Sequence, residues 1–307
     1  MRAAPLVCAV VLALAGCGAP AATSPGPPSS GRSSSTPSSS SAAPAAAELA
    51  GVDALEAAYA ARVGVWALDT GTGQVLEHRA DERFAHASTL KLLLVGLLLD
   101  RVPDAELDAV VPIGADDVLE YAPVTSQHVG TGLPLRELMA AAITVSDNTA
   151  ANLLVARLGG PAQVQAALRE LGNPTTRVDR VEPDLNEALP GDPRDTSTPA
   201  DLGATVQQLV LGDVLAPDRR ALLQQWLREN TTGDAAIRAG VPEGWEVGDK
   251  TGSGGYGTRN DVAVVQPDDG GAPLVVVLLT DRGVPDADAD DGLLADATRL
   301  VVDQLAR

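Results

Sequence analysis

Apolar and polar residues alternate through "RVGVWALDT" (62–70) and "GQVLEHR" (73–79), with Thr70-Gly71-Thr72-Gly73 between them. Period-two alternation broken by a Gly/Thr tetrapeptide predicts a β-hairpin. Residues 48–61, rich in Ala, Glu and Leu, predict a helix before it. Helices and loops follow from Ser88 to about Arg136. Helical patterns then recur at about 134–143, 147–158, 161–171, 200–211 and 217–229. Among them lies "NPTTRVDRVEPDLNEALPGDPRDTSTP" (173–199), dense in Pro, Gly, Asp and Arg. A loop this long within a compact domain is functional or disordered. Strands follow in "WEVGDKTGSG", "TRNDVAVVQ" and "PLVVVLLTD", and 289–306 is helical. Strands, a helical block, then strands predict an α/β (α+β) three-layer fold. Its antiparallel sheet has about five strands, the first two joining the last three, with helices flanking it and an all-helical subdomain inserted.

The first residues read differently. "MRAAPLVCAVVLALAGC" has one basic residue, Arg2, and then an apolar run too short to span a bilayer. It reads as a signal peptide over 1–16. It ends in Leu14-Ala15-Gly16-Cys17, which resembles the lipobox of bacterial lipoproteins, whose Cys is lipidated and becomes the first mature residue. Residues 17–47 then comprise that Cys and a Ser/Pro/Ala stretch that cannot support a core, a flexible tether. The catalytic domain is expected over 48–307. Cys8 falls in the removed segment, so the mature chain has no free thiol and no disulfide.

Composition narrows the function classes. The 307 residues carry a formal net charge of −19, spread along the chain, and aromatics make up only 2%. The core must therefore be built from Ala, Leu and Val. Nucleic acid is excluded as a partner, because binding phosphate needs clustered Lys and Arg. His78, His86 and His128 show no spacing to another His or Cys that suggests zinc, so no metal or cofactor is expected. Lysine occurs only at Lys91 and Lys250, among 22 Lys plus Arg residues.

Both lysines sit in patterns that carry chemistry. Ser88-Thr89-Leu90-Lys91 puts a hydroxyl and an amine three residues apart, on one face of a helix. A Ser at a helix start meets unpaired backbone N–H groups that can hold an oxyanion. An amine can accept the Ser proton if burial lowers its pKa, whereas a guanidinium cannot. Ser146-Asp147-Asn148 opens a helix, and Lys250-Thr251-Gly252-Ser253-Gly254 lies on a strand. Each pattern alone reads as a helix cap or a strand end. Together, in this order and spacing, they point past capping.

S-x-x-K, S-D-N and K-T-G together resemble the motifs of the class A β-lactamases and penicillin-binding proteins, whose serine performs acyl transfer. The resemblance spans about residue 48 to the end. It extends to Arg83-Phe84, Glu120-Tyr121, "EPDLN" (182–186) and "KTGSGGYGTRND" (250–261). It implies that Ser88 is the nucleophile, that Lys91 helps activate it, and that Ser146 relays a proton to the leaving nitrogen. It implies that Glu182 and Asn186 hold the deacylating water, and that Asn148 binds the substrate's side-chain amide. Backbone N–H groups of Ser88 and Ser253 match the oxyanion hole. Lys250, Thr251, Gly252, Ser253 and Arg259 match the strand and cluster that hold the substrate carboxylate, and Tyr121 matches the cleft wall. Arg180 and Asp195 resemble the ion pair that pins the long loop, and His86 is expected to support the pocket wall. Ala87 and Gly254 exclude the disulfide of some carbapenem-hydrolysing members. The expected activity is hydrolysis of penicillins and cephalosporins, giving antibiotic resistance. The protein is expected to be a monomer outside the cytoplasm, held to the membrane through Cys17. A D-Ala-D-Ala carboxypeptidase and a non-catalytic β-lactam-binding lipoprotein stay open as alternatives.

Overall fold

The computed structural model describes residues 45–305. The signal segment, Cys17 and nearly all of the tether lie outside the described residues. The sheet strands are β1 (Ala47–Glu48), β2 (Arg62–Asp69), β3 (Val75–His78), β4 (Glu246–Ser253), β5 (Arg259–Gln266) and β6 (Leu274–Asp281). The helices are α1 (Val52–Tyr59), α2 (Leu90–Arg101), α3 (Leu135–Thr144), α4 (Asn148–Arg157), α5 (Pro161–Glu170), α6 (Pro199–Val210), α7 (Pro217–Arg228) and α8 (Asp291–Leu305).

Strand order is β1-β3-β2-β6-β5-β4. The hairpin β2–β3 joins the C-terminal strands through β2–β6, antiparallel with Val65 opposite Leu278. The sheet therefore has six strands and not five. The sixth is the two-residue β1, which pairs parallel to β3, Ala47 with Leu76. The N-terminal helix is correspondingly shorter than 48–61. Gly51 precedes it with φ 90°, a left-handed turn that lets the chain swing from β1 into α1.

The run "LVVVLLTD" of β6 is apolar at nearly every position because both faces of the sheet are covered. Leu274, Val276 and Leu278 pack with α1 and α8 residues such as Val52, Leu294 and Val301. Val275, Val277 and Leu279 pack on the opposite side with Phe84, Trp66 and the leucines of α2 and α6. This is the three-layer arrangement.

Helix α2 runs through the centre of that second cluster. Every residue from Leu90 to Leu99 is buried, as expected of a helix that is hydrophobic all round. Its eight apolar residues in this stretch contribute, at about 1.5–3 kcal/mol each, a gross 12–24 kcal/mol of burial. That exceeds what burying one well-bonded amine costs, so the packing of α2 can carry Lys91 inside its first turn.

Candidate active site

Ser88 lies in a 3₁₀ turn, Ala87–Thr89, that runs directly into α2. Ala87 just before it has φ 47°, a left-handed conformation unusual for a residue with a Cβ. One turn on, Lys91 Nζ lies 2.8 Å from Ser88 Oγ. The same Nζ lies 3.1 Å from Ser146 Oγ, 2.9 Å from Ser146 O, 2.6 Å from Asn148 Oδ1 and 2.9 Å from Glu182 Oε1. Burial pushes the Lys91 amine below its ordinary pKa, and the Glu182 carboxylate acts in the opposite direction. An amine so placed can exchange protons with a hydroxyl on one side and a carboxylate on the other.

Ser146 precedes α4 with φ 57°. Asp147 caps the helix by accepting Ala150 N–H at 2.8 Å, and it also accepts Val124 N–H at 3.0 Å and Thr125 N–H at 2.9 Å. These bonds pin the loop that bears Tyr121, whose carbonyl accepts Asn148 N–H at 3.0 Å. Tyr121 itself is exposed at the rim of the cleft. Ser146 Oγ thus stands between two amines, since Lys250 Nζ also lies 3.1 Å from it. Lys250 is fully buried, and burial, reinforced by nearby Lys91, brings its pKa down to about 7.

Strand β4 passes close to the turn that bears Ser88. A Cβ on Gly252 would meet His86 O at 3.0 Å and Ser88 N at 3.1 Å. A side chain there would crowd that turn, and the next residue, Ser253, lines the same cavity as Ser88. Arg259, from the neighbouring strand β5, donates to Ser253 Oγ at 3.0 Å and to Thr232 O at 3.1 Å, and pairs with Asp291 at 2.5 Å. Ser88, Tyr121, Ser146, Asn148, Asn186 and Arg259 are among the residues around a cavity of about 310 Å³. Arg259 brings a guanidinium to the β4–β5 side of this cleft, suited to an anionic group of a ligand. No cluster of metal-ligating side chains borders it among the described residues.

The long loop closes the floor. Glu182 Oε1 lies 3.4 Å from Ser88 Oγ, and Glu182 Oε2 accepts from Asn186 Nδ2 at 2.5 Å. Arg180 Nε lies 2.6 Å from the buried Asp195 carboxylate, and its far end pairs with Glu187. Asp195 also accepts the N–H groups of Asp179 and Arg180, at 2.8 and 3.0 Å. Two apolar residues of the loop, Val178 and Leu185, are buried in the main core and anchor it. Its exit, Thr196–Ser197, pairs with Phe84–Ala85 just before Ser88. His86 is wholly buried, its Nε2 2.9 Å from Arg177 O, and so ties the Ser88 turn to the start of the loop.

Sequence reasoning missed three contributors. Asn152 brackets the Glu182 backbone, accepting its N–H and donating to its carbonyl, each at 2.9 Å. Its position four residues after Asn148, on the same face of α4, was the available signal. Thr232 lines the cleft and touches Thr251, with the two hydroxyls 2.5 Å apart. Asp291 holds Arg259. Neither of these lies in a motif.

The chain matches the β-lactamase enzyme family over residues 47–305. A β-lactamase of Amycolatopsis lactamdurans is 53% identical over 251 residues, 82% of this chain and 83% of that one. Beta-lactamase FAR-1 of Nocardia farcinica is 53% identical over 299 residues, 97% of this chain and 93% of that one. Among solved structures, an ancestral class A β-lactamase superposes with a TM-score of 0.79 at 51% identity, covering 82% of this chain and 97% of that one. A halotolerant bacterial β-lactamase gives 0.82 at 48% identity, covering 83% and 98%. By sequence, fold and these relatives, the chain belongs to the class A serine β-lactamases.

Proposed function

We propose that this enzyme hydrolyses penicillins and cephalosporins through an acyl-enzyme on Ser88 and so gives antibiotic resistance. Lys91, 2.8 Å away, takes the Ser88 proton as its oxygen attacks the lactam carbonyl. The oxyanion is held by the N–H groups of Ser88 and Ser253, each such donor being worth about 10²–10³ in rate. Ser146, between Lys91 and Lys250, passes a proton to the departing lactam nitrogen. Lys250, Thr251, Ser253 and Arg259 bind the substrate carboxylate, Asn148 binds its side-chain amide, and Tyr121 walls the cleft. Glu182, with Asn186, then activates the water that cleaves the ester.

The observation that carries this reading is the proximity of Glu182 to both Ser88 and Lys91. A carboxylate there can act on an ester formed at Ser88. In a D-Ala-D-Ala carboxypeptidase, as read from the motifs, that place has no such Glu, and the acyl-enzyme persists. The test is Glu182→Ala, exposed briefly to a penicillin and weighed intact. The adduct is expected to accumulate and turnover to fall by about 10²–10⁴. A wild-type chain that acylates once and stalls would favour the carboxypeptidase. A variant with no adduct and near-normal turnover would remove Glu182 from deacylation.

We also propose that the enzyme works as a monomer outside the cytoplasm, lipidated at Cys17 and tethered by residues 17–47. The support is the "LAGC" tetrapeptide and the Ser/Pro/Ala composition that follows it.

A further inference from the structure

At the sheet edge opposite the K-T-G strand, helix α1 meets strand β3. Asp53 and Glu56, three apart on one face of α1, lie beside His78 at the end of β3. One ligand atom from each falls within 4.8 Å of the other two. His78 is 8% exposed, and its Nδ1 lies 2.5 Å from Glu48 Oε1. A carboxylate only accepts, so Nδ1 carries the hydrogen. That leaves Nε2 buried and without a hydrogen-bonding partner, facing Glu56 Oε1 at 3.5 Å. A ring nitrogen facing a carboxylate oxygen at that distance calls for a proton or a metal cation between them.

We propose that Asp53, Glu56 and His78 form a divalent-cation site, of the kind zinc takes, that clips α1 to the sheet. Three observations support it. Zinc–ligand bonds of about 2.0–2.2 Å set tetrahedral ligands roughly 3.3–3.5 Å apart, which the Nε2–Oε1 separation already matches. Glu48 holds the other ring nitrogen, as an outer carboxylate does for metal-bound histidines, fixing tautomer and ring orientation. Asp53 is exposed, so the third ligand can adjust and the fourth position opens to water. Arg79 donates to both oxygens of Glu56, at 2.8 and 2.9 Å, and keeps it ionised, with a pKa of about 2. The same guanidinium, together with the Val63 N–H that Oε1 accepts at 2.8 Å, competes with the ion for Glu56, so uptake is expected to be weaker than at a closed structural zinc site.

The test is equilibrium dialysis of the full, untagged chain against zinc, with thermal melts in zinc and in EDTA. One zinc per chain, and a melting rise that EDTA reverses, are expected. Asp53→Asn and Glu48→Gln, at exposed positions that fold safely, should each weaken uptake about 10–100-fold. His78→Gln should abolish it, while His128→Gln and the rate of nitrocefin hydrolysis should not change. Absence of saturable uptake would make this a plain carboxylate–imidazolium contact and overturn the site. So would uptake that survives Asp53→Asn and His78→Gln, or that is lost in His128→Gln.

Discussion

Asp195→Asn isolates the charge that closes the long loop. The Asp195 carboxylate is wholly buried and accepts Asp179 N–H, Arg180 N–H and Arg180 Nε–H. Asn keeps one oxygen for the two amides and tolerates the left-handed φ of 53° as Asp does. What changes is the charge opposite Arg180, with an N–H₂ group turned toward a guanidinium N–H. Breaking one side of a buried ion pair costs about 3–5 kcal/mol. Arg180 retains Glu187, and its side chain is 18% exposed, so water relieves part of the loss. About 2–3 kcal/mol is therefore expected. For a domain of this size each kcal/mol lowers the melting temperature by about 2–4 °C, so the fall should be roughly 4–12 °C. Because Glu182 lies between Arg180 and Asp195 in the chain, its placement should suffer with the loop. Deacylation should slow more than acylation. Thermal melts and rapid-quench intact mass spectrometry measure both. A melting temperature within about 1 °C of wild type, with unchanged turnover, would refute the argument that this pair orders the loop.

Lys91→Arg should abolish acylation, since a guanidinium stays protonated and crowds Ser88; single-turnover rates near normal would show that the amine takes no proton. Lys250→Arg keeps a positive charge and should retain residual activity with a raised KM, read from steady-state kinetics. Lys250 loses its proton near pH 7 instead of its ordinary 10.5, so kcat/KM for carboxylate-bearing β-lactams should fall as pH rises above about 7–8; a flat profile to high pH would contradict this. Between those two pKa values the unfolded chain binds more protons at this group than the folded one does. Its contribution to stability therefore rises with pH across that window. Cys17→Ser should release the enzyme from membranes with its activity in solution unchanged, and a mature N-terminus at another residue, seen by mass spectrometry, would reject lipidation.

Much of the fold was legible because its signals are local. The helix read at 147–158 is Asn148–Arg157, and the strand read at 273–281 is Leu274–Asp281. Burial on both sheet faces wrote β6 as an unbroken apolar run. The two residues of β1 carry no period of their own, and only their partner β3 makes them a strand. In the loop, Val178 and Leu185 look isolated in the sequence and become anchors only once α2 and its neighbours surround them. The site followed the same division. Ser88 and Lys91 were visible through helical spacing, and the scarcity of Lys drew attention to Lys250. Asn152, Thr232 and Asp291 act by reaching residues 30, 27 and 32 positions away. Beyond the spacing of Asn152 from Asn148, no window along the chain exposes such pairings.

The two ends of the folded domain touch. Gln304, near the end of α8, donates to Ala50 O and accepts Ala50 N–H, both at 3.1 Å. A chain whose ends meet can be joined there by a few residues and reopened at an exposed turn, as tolerated permutations of domains require. The turn at 242–244, just before β4, is exposed and carries none of the cleft residues. Reopened there, the chain would present K-T-G first, then S-x-x-K, S-D-N and the Glu182 loop, around an unaltered cleft. The linear order of the motifs is thus a record of ancestry and not a condition of the geometry.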